Sequence, residues 1–333
     1  MKPLGLSEQR RWPERCGSRI AWPLRWIANP VVFYHGSSNL PCRATRLGQF
    51  HAVSHSTTSV DGGGYAGFAA LALLAFLILR HLSLKPSNER DWVAENRRMA
   101  FAEFDGDEVT LRNVRDFDWR STRDFDERWT DWTFRPSEVT GIWLVLEYFD
   151  PKRKSIAHTL MSFEFEDGRR LACSIEVRRE VGETYHPIKG MFRQYELLYV
   201  WTTEGDSIGV RARCRRKSKT HLFEGVVLGE DSHRKLLESF LRRTNALHEK
   251  PEWYHSITNT CTTNIVRHVN EVYPGRVPRA VAVLLPGLSP ELLKRNNLIR
   301  LDGSLEQTLE SSLIDQRSAE WDGESDYGDW IRE

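Results

Sequence analysis

Apolar positions are distributed along this chain in three ways. The first is continuous: Gly62 to Leu79 reads GGGYAGFAALALLAFLIL, eighteen residues without a charge, closed by Arg80, His81 and Lys85. A bilayer-spanning helix needs about 17–25 apolar residues, and Leu82 and Leu84 extend the run if Arg80 snorkels to the headgroups. Core helices ordinarily keep a polar stripe, and this run has none. The pattern predicts one transmembrane helix over 62–84, with a buried core helix as the alternative reading. The second pattern alternates. From Ile156 to Glu166, Ala157, Thr159, Met161, Phe163 and Phe165 form one face; His158, Ser162, Glu164 and Glu166 lie opposite, with Leu160 among them. The third is helical. Leu236, Leu237, Phe240, Leu241 and Leu247 recur between a cap at Asp231 or Ser232 and a stop at Pro251, and Ile265, Val269 and Val272 recur between Thr260 and Pro274-Gly275.

The alternating run ends in Asp167-Gly168, a hairpin signal. Its partner, Arg170 to Val177, carries Leu171, Cys173, Ile175 and Val177 on one face and Arg170, Ala172, Ser174 and Glu176 on the other. A two-residue turn would set apolar rows beside polar ones. A three-residue loop with Gly168 left-handed matches apolar to apolar. That register puts Glu164 opposite Arg170 and His158 opposite Glu176, with β-carbons about 5 Å apart. The amphipathic pattern by itself brings an imidazole beside a carboxylate.

Around this hairpin, GIWLVLEYF (Gly141 to Phe149) reads as a buried strand. Further strands are expected at Tyr195–Thr203, Ser207–Cys214 and His221–Leu228, with Gly205-Asp206 turning the first pair. Pro86 to Trp92 reads as a polar linker. Ala94 to Trp132, with Asp-Phe-Asp at 116–118 and 124–126, reads as a salt-bridged surface rather than a metal site. The organisation expected is a leader (1–61), a transmembrane helix (62–84), a main α+β domain with an antiparallel sheet (85–319), and an acidic, solvated tail (320–333) that Trp321, Tyr327 and Trp330 can dock.

Composition sharpens this in one respect. The 333 residues hold 47 basic and 46 acidic side chains, a net charge of +1, so nothing global argues for a nucleic-acid partner. Residues 1–60 carry eight Lys or Arg against Glu8 and Glu14, a net of +6, which leaves −5 for the rest. The positive-inside rule then sets the N-terminus in the cytoplasm and everything after about residue 85 outside. The leader shows no persistent period, and a translation start nearer the apolar run is expected.

Five cysteines are present. Cys16 and Cys42 fall in the leader, Cys173 on the apolar strand face, and Cys214 in the basic run RARCRRK. No Cys-x-x-Cys, Gly-rich phosphate loop, His-Glu-x-x-His or Gly-x-Ser-x-Gly occurs, so no metal or cofactor is expected. Cys261 differs. It opens a helix amid Asn259, Thr260, Thr262, Thr263 and Asn264, where backbone N–H groups and the macrodipole favour thiolate. His268, seven residues on, is about 10 Å away by helical rise; His255 is a loop candidate. His158, oriented by Glu176, is the better base, and Cys261–His158–Glu176 is the candidate catalytic set.

The segments IAHTLMSFEFEDGRRLACSIEVRRE, GMFRQYELLYV, PEWYHSITNTCTTNI and LLPGLSPELL resemble the bacterial Lnb N-terminal periplasmic domain family over roughly residues 90–317. The resemblance implies an extracytoplasmic, permuted papain-like (NlpC-type) α+β thiol fold in which the histidine strand precedes the cysteine helix. The family's histidine falls on His158 and its cysteine on Cys261. Its Ser-Ile-Glu motif falls on Glu176 and its Arg-Gln-Tyr-Glu motif on Arg193, Gln194, Tyr195 and Glu196. Arg193 and Tyr195 are thereby candidates for orienting substrate or bracing the core, and Asn259 and Asn264 for supporting the site. The family is named for a lipoprotein N-acyltransferase. That implies a membrane-anchored, inner-membrane protein whose main domain is periplasmic and whose partners are membrane lipid and lipoprotein. A cell-wall peptidase or amidase, or an inactive lipid-binding domain, are the alternatives.

Overall fold

The computed structural model describes residues 62–333 apart from 227, 228, 230 and 279. The leader, with Cys16 and Cys42, lies outside the described residues. After the helix α1 (Gly62–Ser83) come strands β1 (Phe101–Asp105), β2 (Glu108–Arg115), β3 (Asp118–Trp119), β4 (Phe125–Asp126) and β5 (Trp129–Phe134). The centre is built from β6 (Val139–Tyr148), β7 (Ala157–Phe165), β8 (Arg170–Arg178) and β9 (Glu196–Thr203). Then follow α2 (Glu204–Gly209), β10 (Lys219–Glu224), α3 (Ser232–Glu249) and α4 (Cys261–Val272). One eight-stranded sheet has the order β1-β2-β9-β8-β7-β6-β10, with β5 also paired to β2. Its ladders are antiparallel except β2 against β9. The expected α+β body on an antiparallel sheet is thus present.

The hairpin β7–β8 turns on three residues, Glu166-Asp167-Gly168, closed by Phe165 N–H donating to Arg169 O at 3.0 Å. Gly168 adopts φ +82°, a conformation that costs a side-chain-bearing residue about 1–2 kcal/mol. This sets Glu164 against Arg170 and Leu160 against Ser174. The odd-numbered face of β7 (Met161, Phe163) and its partners Leu171, Cys173 and Ile175 form the main core with Leu237, Phe240 and Leu241 of α3 and Ile265 of α4.

The even-numbered face is covered too, by pieces whose form differs from expectation. Residues 207–214 are not a strand. Thr203 Oγ1 accepts from Asp206 N–H at 3.3 Å and caps α2, which runs into a π-helical turn, Val210–Cys214. The alternation Ile208, Val210, Ala212, Cys214 imitated a strand, while Thr-x-x-Asp at 203–206 is a helix-start signal. For 320–333 the docked alternative to a solvated tail holds: Tyr327 and Ile331 are buried with Val145, Leu160, Ala172 and Ile208 in a second core, and Trp321 and Trp330 pack against it. The linker 86–92 is docked as well. Ser87 N–H donates to Glu196, Asn88 to Leu247 O and His248 O, and Trp92 is buried. The expected surface ion pairs of the 94–132 stretch are present, among them Arg120 with Asp124 and Asp126.

Helix α1 forms, but its apolar side chains are exposed from Phe68 (74%) to Leu82 (58%), so it is not a core helix. Among the described residues no helix is long and apolar enough to cross a membrane. The expected apolar helix is present over 22 residues, Gly62–Ser83, with its described apolar side chains exposed.

One buried ion pair joins α2 to the sheet edge. The Asp206 carboxylate accepts from Arg115 Nε and Nη2 (both 2.8 Å), Phe117 N–H (2.9 Å) and Trp119 Nε1 (2.8 Å). Asp206→Ala orphans a buried guanidinium and is expected to lower stability by about 3–5 kcal/mol in urea unfolding.

Candidate active site

The site begins where α4 begins. Thr260 Oγ1 accepts from Thr263 N–H at 3.2 Å and Thr263 Oγ1 accepts from Thr260 N–H at 2.7 Å, a reciprocal cap that holds Cys261 in the first turn. Asn264 donates to Thr260 O (2.8 Å) and to Asn259 Oδ1 (2.9 Å), and Asn259 donates to Trp253 O (2.9 Å). Both asparagines therefore brace the loop that delivers Cys261. The thiol is buried, and the next side chain, Thr262, hydrogen-bonds Thr159 of β7 at 3.0 Å, pinning the helix start to the histidine strand.

His158 lies one residue earlier on that strand. The β7–β8 ladder closes at Leu160↔Ser174, so His158 and Glu176 stand where the two strands are no longer zipped together. His158 Nε2 donates to Ser174 Oγ at 2.8 Å, Ser174 donates to Glu176 Oε1 at 2.6 Å, and Nε2 is 3.4 Å from that oxygen. The imidazole also acts electrostatically on the Cys261 sulfur. The structure thus brings the three predicted residues together.

Their electrostatics are coupled. Burial alone would lower the His158 pKa, but the charges of Glu176 and Cys261 outweigh it and carry it to about 9. Burial would raise the Cys261 thiol; His158, with the Thr159 backbone and hydroxyl, outweighs burial and brings it to about 6. Glu176, against its own burial, is held well below the usual carboxylate range by His158, Arg211 and Ser174. Both shifts favour a thiolate beside an imidazolium over the neutral pair. The other described cysteines are the reverse: burial pushes Cys173 well up and raises Cys214.

Four members of the network were not anticipated. Across β6, β7 and β8 runs a row of Glu147, His158 and Glu176, with Glu147 directly paired to His158 in register. Arg211, from the π-helical turn, reaches both carboxylates: Nη2 is 2.5 Å from Glu176 Oε1 and Nε is 3.2 Å from Glu147 Oε2. Arg215 adds a pair to Glu147 at 2.7 Å. Glu147 was visible as a lone carboxylate in an apolar strand, and Ser174 as the residue two before Glu176 on the same face. Arg211 was hidden by the strand reading of 207–214.

Other candidates lie elsewhere. Tyr195 is a brace: its hydroxyl donates to Thr184 O (2.8 Å) and accepts from His186 N–H (3.0 Å). Arg193 donates to His81 O and Leu82 O at the end of α1. His268 is buried between Tyr199 and Ser239 and pushed by burial to about 3, and His255 Nδ1 accepts from Ile257 and Thr258 N–H within its own turn. Among the described residues no group of three or more His, Cys, Asp or Glu side chains could hold a metal ion.

The family model of the Lnb N-terminal periplasmic domain matches residues 125–287, which include His158, Glu176 and Cys261. Over those residues the chain is similar to the Lnb N-terminal periplasmic domain family. The match spans just under half of the 333 residues, narrower than the 90–317 of the motif resemblance, and it supports a periplasmic main domain. No curated protein and no solved structure matches the chain.

The ion pair sets a pH signature. Iodoacetamide alkylation of Cys261 is expected to rise through a midpoint at about 6, and His158→Ala to move that midpoint up toward the ordinary thiol value of 9.0, since only Thr159 then opposes burial. Glu176→Gln should give an intermediate midpoint, because the imidazolium loses its main support.

Proposed function

We propose that the main domain is a thiol-dependent acyltransferase or hydrolase of permuted papain-like (NlpC-type) organisation, acting at a membrane on acyl groups of lipid or lipoprotein. The observation that carries the reading is Cys261 at the capped start of α4, pinned through Thr262 and Thr159 to the strand of His158, whose imidazole is oriented through Ser174 and Glu176. The Cys261 thiolate attacks the carbonyl carbon of an ester or amide, forming a C–S bond. First-turn N–H groups of α4, the macrodipole behind them, receive the oxyanion. Collapse breaks the C–O or C–N bond, and His158 gives its proton to the leaving oxygen or nitrogen. An amine or water then attacks the thioester, His158 takes its proton, and the thiolate departs.

The surroundings of the sulfur favour an acyl chain over a peptide. Thr159 and Thr262, which flank it, also line an apolar cavity walled by Leu144, Met161, Ile265, Val269 and Leu293. The exposed helix α1 keeps such a domain beside its lipid, turning a search through solution into one along a surface. No cofactor is required by this chemistry.

The test is acyl-enzyme capture. Full-length protein in detergent is mixed with phospholipid bearing an alkyne-tagged acyl chain, and hydroxylamine-labile label is read on the protein. Label is expected on wild type and absent from Cys261→Ala, with His158→Ala slowing its appearance by about 10²–10⁴-fold. Label that persists in Cys261→Ala would overturn the reading, and release of wall peptides without acyl label would favour the peptidase.

A further inference from the structure

Large apolar side chains are exposed in two further places beside the site. The loop between β8 and β9 presents Val181 (60%), Tyr185 (44%), Ile188 (58%) and Phe192 (58%), and the loop before α4 presents Ile257 (46%). These loops are locked to one another. Ser256 Oγ donates to Pro187 O at 2.6 Å and Ser256 N–H to Gly190 O at 3.2 Å. A β-carbon at Gly190 would run into Ser256 Oγ and the Tyr254 ring, so the approach needs glycine. Tyr185 packs edge-on to Tyr254, and the Cys261 charge acts on Tyr254.

The same loop is tied to α1. Arg193 donates to Leu82 O at 3.0 Å and His81 O at 3.3 Å, and Phe192 meets the His81 ring edge-on at 6.2 Å. The exposed apolar surface of α1 is therefore joined, through Phe192 and Ile188, to the loop that leads into Cys261. Arg80, Lys85, Lys189 and Arg193 stand along this join; the acidic Glu183 is engaged by Gln194.

We infer that loops 181–193 and 255–258, together with α1, form one lipid-docking surface that presents the mouth of the Cys261 site to an anionic bilayer. The occupant follows from the shape of the apolar surface. A protein partner covers one face of a helix, whereas α1 is apolar and exposed around its circumference, which suits a surrounding lipid phase. The basic residues at the join suit acidic headgroups. In its consequence, that an acyl donor reaches Cys261 without leaving the membrane, the inference rests on the thiol-transfer reading above.

Its test does not use the sulfur. Full-length protein carrying p-benzoylphenylalanine at position 188, 192 or 257, with Leu74 of α1 as a positive site and Phe104 of β1 as a negative one, is reconstituted into phosphatidylethanolamine–phosphatidylglycerol vesicles with radiolabelled acyl chains and irradiated. Lipid adducts at all three loop positions are expected at about tenfold or more above Phe104, as for apolar side chains seated at the acyl boundary. Adducts at Leu74 without adducts in the loops would overturn the inference, as would adducts to a second copy of the chain or none at any position. A thiol without acyl-transfer activity leaves these adducts unchanged, so the two readings fail separately.

Discussion

Arg211 holds two carboxylates at the edge of a buried imidazole, and the charge state of the site depends on that contact. Glu147, His158 and Glu176 occupy adjacent strands in one row. The guanidinium lies between them, reinforced at Glu147 by Arg215, and together with His158 and Ser174 it holds Glu176 well below the usual carboxylate range. The charge of Glu176 in turn favours the protonated imidazole, and the imidazole favours the thiolate. Such a grid contributes little net stability, since desolvation offsets most of the attraction, but removing one member leaves the others uncompensated.

The fold was legible where period and turn chemistry agreed. The β7–β8 hairpin followed from alternation plus a glycine able to turn left-handed, and the start of α4 from a polar, cap-rich stretch before an apolar helical stripe. Those two readings, with the register, located His158, Glu176 and Cys261. The rest depended on contacts that sequence spacing does not encode. Ser174 enters because it stands between an imidazole and a carboxylate in space, and Arg211 because residues 207–214 form a helix despite a two-residue apolar rhythm. Arg193 and Tyr195 share a motif, but the strand start sends one to the end of α1 and the other under a loop.

Cys261 sits at a boundary between two environments. On one side, Thr159 and Thr262 lead into a mostly apolar cavity; on the other, His158 leads into the charged row. A strand separates its neighbours by alternate direction, so consecutive residues Thr159 and His158 address the two sides from one short piece of backbone. The same strand thereby supplies a dry wall and a proton carrier without any loop between them.

The second core has a consequence for how the chain acquires its structure. Leu160 and Ala172 are covered by Tyr327 and Ile331, more than 150 positions further along. A hairpin made early must wait with one apolar face uncovered until that distant segment arrives, and contacts of such long sequence separation form slowly. The even-numbered face of the sheet, which the charged row shares, is therefore complete only once the C-terminal segment is in place.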